Sequence, residues 1–184
     1  MSQLRRLARS QRGAAAVEFA LIMPIMLAVY IGSVDVSTLI IIDRKIQSAA
    51  GAVGDLVARS DGEVLTRDLK DYFRAASGIM TPYSSQDVKQ VVTAVRVDST
   101  GKPTIAWQSK YERGTYSTVG ASVPPKAFTL PAEMIAIAKG QMVIAAEASY
   151  TFTPLYGFVI GQKINLYRSN FFMPRFEGEI KLVP

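Results

Sequence analysis

The hydrophobic pattern divides the chain into three stretches. From Phe19 to Val34 sixteen residues pass without a charge, and extending the run back to Ala14 gives 21 residues with one acid, Glu18. As a helix, 21 residues rise roughly 32 Å, about the hydrocarbon thickness of a bilayer. A transmembrane helix to about residue 34 is therefore predicted, with Asp35 near the far surface. Beyond it, Leu39, Ile42, Ile46, Ala49, Val53 and Leu56 recur at spacings of three and four, while Asp43, Arg44, Gln47 and Asp55 take other positions. That spacing continues the helix, now amphipathic, to Ala58. Ala50, Gly54 and Ala58 repeat every four residues, a row that fits helix–sheet packing or close approach of a second helix. Pro24 removes one backbone hydrogen bond and should kink or loosen the helix. Membrane helices also tolerate proline without further purpose.

After Ala58 the period shortens. Ser60-Asp61-Gly62-Glu63 fits a capping box, with Ser60 as N-cap and Glu63 at N3. It predicts an amphipathic helix through Leu65, Leu69, Tyr72, Phe73 and Ala76, ending near Gly78. Alternation over 91–97 predicts a strand, Ser99-Thr100-Gly101-Lys102 a turn, and Ile105–Tyr111 the returning strand of a hairpin. Residues 114–125 are rich in Gly, Ser and Pro and read as an exposed loop. Pro131 opens a short helix over 131–139. Residues 141–153 and 164–172 read as two further strands. The more apolar face of the first carries Ile144, Ala146, Ala148, Tyr150 and Phe152 and is expected to meet the long helix. A helix followed mainly by strands implies an α+β domain with a mainly antiparallel sheet.

Charge sharpens the N-terminal reading. Of the net +6, four positive charges (Arg5, Arg6, Arg9 and Arg12) fall within the first 13 residues, where there is no acid. Basic residues placed directly before an apolar run are a membrane-targeting layout, not a nucleic-acid-binding face. They predict a cytoplasmic N-terminus with everything after Val34 outside. A cleaved secretory signal needs a small-x-small site after the run, and Tyr30-Ile31-Gly32-Ser33 fits it poorly. An uncleaved anchor gives no reason for Glu18, because an acid within a bilayer costs free energy.

Gly13-Ala14-Ala15-Ala16-Val17-Glu18-Phe19 resembles the processing site of type IV prepilins, and the string from Arg12 to Pro24 is similar to the TadE-like pseudopilins of the tight-adherence (Flp) pilus system. Asp35 matches an acid that this family carries after the apolar run, where Glu is more usual. The resemblance covers about residues 1–60. It implies a basic leader, 1–13, removed after Gly13 by a prepilin peptidase. A helix, 14–58, and an extracytoplasmic pilin-like α+β domain, 59–184, would follow. The mature length and Phe19 after the Glu point to a minor pseudopilin and away from the short major pilin. Implied partners are the peptidase, a sister pseudopilin, the major Flp pilin, the inner-membrane assembly platform and the lipid bilayer. The implied localisation is the bacterial inner membrane with the domain in the periplasm, or the extracellular pilus. Cleavage would leave an amine on Ala14, pKa about 8, one helical turn from Glu18. Between packed subunits the two charges would pair and set register.

The composition removes other chemistries. With no Cys and no His, the chain has no disulfide, thiolate nucleophile, Ser-His-Asp triad or His-based zinc site. Asp68 and Asp71 are interleaved with Arg67, Lys70 and Arg74 and read as a solvated helix face. Glu177 and Glu179 would need partners to hold an ion. Tyr150, Phe152, Tyr156, Phe158, Tyr167, Phe171 and Phe172 gather late in the chain and are expected in core or interface packing. Trp107 fits a core position or an exposed contact equally. No catalytic residue, metal or cofactor is expected. The alternative function is an uncleaved, single-pass protein whose outer domain binds an envelope ligand, in which case Glu18 would be dispensable.

Overall fold

The computed structural model describes residues 11–120, 125–157, 160–176 and 178–184. Arg5, Arg6 and Arg9 of the leader, part of the 114–125 loop, Phe158 and Glu177 lie outside the described residues. The elements run α1 (Gln11–Ala58), β1 (Glu63–Leu65), α2 (Thr66–Gly78), β2 (Val88–Val97), β3 (Pro103–Glu112), β4 (Thr115–Val119), α3 (Ala132–Ile137), β5 (Met142–Phe152), β6 (Ile164–Phe172) and β7 (Lys181–Val183). They form two compact units. One holds α1 as far as Ile40 together with Thr153–Lys163; the other holds Ile41–Phe152 with Ile164–Pro184.

In the larger unit five strands form one sheet in the order β4-β3-β2-β5-β6, and each neighbouring pair is antiparallel. The fold is α+β, a long N-terminal helix followed by an antiparallel sheet. Strand β2 lies at the centre because both its faces are apolar. Val88, Val92 and Ala94 turn one way, Val95 and Val97 the other, and all are buried.

On the first face, Ala49, Val53 and Val57 of α1 share a core with Leu69 and Phe73 of α2, Val92 and Ala94 of β2, and Met142, Ile144 and Ala146 of β5. The even-numbered face of β5 is thus the one that meets the helix, as its apolar content implied. On the second face, Val95, Val97, Val143 and Ala145 pack with Leu130 and Ala138 from the α3 segment. Trp107 is a core residue, and its indole Nε1–H donates to the Ile180 carbonyl at 2.8 Å.

Three local expectations fail. The capping box at Ser60 does not form. Glu63–Leu65 pairs instead as a strand, parallel to Lys181–Val183, and α2 begins only at Thr66. The N-cap is Leu65, which makes no side-chain cap bond, while the Thr66 hydroxyl donates to the Val183 carbonyl at 2.9 Å. Backbone partners more than a hundred residues away outweigh a capping interaction of about 1 kcal/mol. The 114–125 segment is not all loop, because Thr115–Val119 adds an edge strand to β3. The buried face of α1 runs through Val57 and Ala58, and Leu56 is exposed. At 3.6 residues per turn the stripe advances Ala49, Val53, Val57, whereas a strict alternation of threes and fours would leave the face.

The late aromatics do not form one group. Phe172 packs against the helix-side core and Phe171 against the opposite face, while Tyr156 is exposed in the smaller unit. The Tyr167 hydroxyl donates to Glu147; partial burial, reinforced by that carboxylate, pushes the phenol up to about 12.

Candidate functional site

Gly13, Ala14 and Glu18 lie in α1, and all three are exposed. A Cβ built on Gly13 would meet no heavy atom within 4 Å. Ala14 and Glu18 stand four residues apart, on one face of the helix. The apolar residues that follow are equally uncovered: Phe19, Leu21, Ile25 and Val29 are 62%, 70%, 66% and 68% exposed. A continuous apolar surface of this kind marks contact with lipid or with other protein chains. The helix is long and apolar enough to cross a membrane, which is compatible with an anchor. Pro24 lies inside it, and the helical assignment runs through without a break.

Where the charge-free run ends, the surface changes. Asp35 is only 1% exposed, and its Oδ1 accepts the backbone N–H of Leu155 at 3.1 Å. Its Oδ2 is buried without a hydrogen-bond partner. Gly32, one turn earlier on the same face, is also buried, whereas Tyr30 and Val36 are exposed. An aspartate read from sequence as a boundary marker is thus a clasp between α1 and the segment after β5. Its partner is a main-chain group 120 positions away, and no side-chain signal announces that.

Beyond Ile40, within the larger unit, the charged positions of α1 are tied to other parts of that unit. Asp43 pairs with Arg168 at 2.5 Å, and Lys45 Nζ donates to the carbonyls of Ile79 and Thr81, each at 2.8 Å. Asp55 accepts from Arg59 at 2.5 Å and from Arg175 at 2.6 Å. Those two guanidinium groups, Arg59 foremost, hold the Asp55 carboxyl below its ordinary value. Arg175 N–H also caps the helix end by donating to the Ala58 carbonyl at 2.9 Å. Between these ties, Ala50 and Ala58 are buried, and Gly54 lies against Phe172 and Ala146 of the sheet.

Several other polar groups are paired within the protein. A 510 Å³ cleft is lined by Arg96, Arg175, Phe176 and Glu179 among others. Glu179 and Arg96 form a two-pronged ion pair, which keeps the Glu179 carboxyl below its ordinary value. Arg175 is engaged with Asp55. Asp68 and Asp71 pair with Arg67 at 3.2 Å and Arg74 at 3.7 Å on an exposed helix face. Among the described residues, no three His, Cys, Asp or Glu side chains come together as a metal site.

The site is therefore a surface: an uncovered apolar helix with Gly13 and Glu18 near its start and a buried aspartate where the charge-free run ends. Comparison with known families covers that same stretch. Residues 13–54 match the TadE-like protein family. The TadE-like segment starts at Gly13 and includes Glu18, Pro24, Asp35 and the small-residue position Gly54, and it lies within α1. No curated protein and no solved structure matches the chain.

Proposed function

We propose that this chain is a minor pseudopilin of a tight-adherence pilus, made with a basic leader, anchored in the inner membrane by α1 and cut after Gly13 by a prepilin peptidase. The reading is carried by one observation. Gly13 and Glu18 stand five residues apart, both accessible, at the head of an apolar helix that the fold leaves uncovered and that matches the TadE-like family. Cleavage would place the new Ala14 amine one turn from Glu18. Inside a bilayer or filament an unpaired carboxylate is heavily penalised, and an ammonium from a neighbouring subunit is its natural counter-ion. The pair fixes how far one helix slides past the next, and so sets register.

In this reading the arginines before the helix hold the N-terminus in the cytoplasm and the sheet domain stands in the periplasm. The partners are the peptidase, a sister pseudopilin, the major Flp pilin and the assembly platform. The role is in initiation, tip formation or assembly of the pilus, and the chain catalyses no reaction. Pro24 loosens α1 where it must leave lipid for the filament. Replacing Glu18 by Gln tests the pairing. Piliation should fall sharply while the chain still inserts into the membrane; normal piliation with the Gln variant would overturn it.

A further inference from the structure

The Asp35 clasp fixes the depth of a second segment. A helical side chain leans toward the N-terminus of its helix, so the Asp35 carboxylate lies over the last turn of the charge-free run. The Leu155 N–H that it holds at 3.1 Å is therefore at the level where the apolar helix ends. Yet the side chains carried there face outward: Leu155 is 77% exposed and Tyr156 56%. No charged residue occurs from Ala148 to Gln162, and Lys163 closes the stretch. An exposed Leu-Tyr pair beside the end of a membrane helix, followed by a lysine, has the composition of an interfacial anchor. The aliphatic side chain enters the acyl boundary, the phenol sits among headgroups and the cation meets lipid phosphate.

We propose that the segment 153–157, clipped to Asp35, is a second membrane contact, with Leu155 and Tyr156 inserted in the interfacial layer of the leaflet at which the charge-free run of α1 ends. The occupant is lipid because Leu155, bonded to Asp35 at the end of the charge-free run, and the uncovered apolar residues of α1 belong to the same compact unit. The Asp35 carboxylate acts as a depth gauge by holding the backbone N–H of Leu155. The proposal rests on the reading of α1 as a membrane anchor.

The chain has no cysteine, so single labels can be placed at will. Leu155→Cys and Tyr156→Cys carry a nitroxide in the full chain, reconstituted in phosphatidylethanolamine–phosphatidylglycerol vesicles. Leu27→Cys and Ser99→Cys serve as lipid and water references. Power saturation then reads accessibility to oxygen, which partitions into lipid, against a nickel chelate, which stays in water. Labels at 155 and 156 should show oxygen accessibility several-fold above that at Ser99 and nickel accessibility several-fold below it. Water-like values at 155 and 156 with a lipid signature at Leu27 overturn the proposal and leave the anchor standing. Exclusion of both reagents also overturns it, since protein would then cover the site. A water-like signal at Leu27 overturns the anchor reading itself.

Discussion

Gly54 and Phe172 approach so closely that a Cβ built on the glycine would stand 2.4 Å from the ring Cε2, with the Ala146 Cβ at 2.8 Å behind it. An alanine in the middle of a helix ordinarily gains about 1 kcal/mol over glycine. Here the sign reverses. Phe172 and Ala146 are packed on the sheet, so Gly54→Ala should destabilise the folded domain by about 1–3 kcal/mol through overpacking. Adding Phe172→Leu should recover part of that loss, which chemical denaturation of the single and double variants would show.

The Asp35 clasp yields a second prediction. Asp35→Asn keeps a carbonyl acceptor for the Leu155 N–H, whereas Asp35→Ala removes it. Leaving that amide unsatisfied costs about 1–3 kcal/mol. In the Ala variant, amide exchange at Leu155 should accelerate by about ten-fold or more, since 1.4 kcal/mol is a factor of ten at equilibrium. The Asn variant should stay close to the parent, and the strands of the large sheet should exchange unchanged in both.

The Glu179–Arg96 pair gives a pH dependence. The arginine lowers the Glu179 pKa in the folded state, so its stabilisation is fully present above the unfolded value, about 4.3, and is lost as pH falls through the folded one. Side-chain exposures of 52% for Arg96 and 40% for Glu179 mean solvent screens the pair, which limits it to about 1 kcal/mol or less. Urea midpoints of the parent and Glu179→Gln should differ at pH 7, and the gap should narrow as pH falls below about 4.3. A gap that does not narrow at all on acidification would show that the pair is not its source.

Gln90 links α2 to the central strand, with its Nε2 donating to the Phe73 carbonyl at 3.0 Å and to the Ser77 hydroxyl at 2.7 Å, all buried. Its Oε1 has no partner. Gln90→Ala should cost about 2 kcal/mol or more, from the cavity and the lost bonds together. Ser77→Ala should cost less, because the Gln90 bond to Phe73 survives, and thermal unfolding of the two variants orders them.

These relationships divide by sequence range. Residues 14–34 announce a helix by the length of their apolar run, 35–58 by period, and β2, β3, β5 and β6 by alternation and turn chemistry, because each signal is local. Glu63–Leu65 and Lys181–Val183 become strands only by finding one another, and nothing near Ser60 reveals that a capping box will lose to them. Asp35 was legible as an acid beside an apolar run, but its Leu155 partner is a backbone group and leaves no mark in residue type. Trp107 was undecidable for the same reason, since its Nε1–H is satisfied by a carbonyl, not by a side chain. The Gly13–Glu18 spacing is visible because both residues lie in one short contiguous stretch, Gly13 to Phe19.

The decisive measurement is the mass of the chain purified from membranes of cells with an active prepilin peptidase. The account predicts a mature protein of 171 residues beginning at Ala14, the 184-residue chain less its 13-residue leader, and retention of the full leader when Gly13 is replaced. A chain that keeps Met1 or Ser2 in those cells would contradict it.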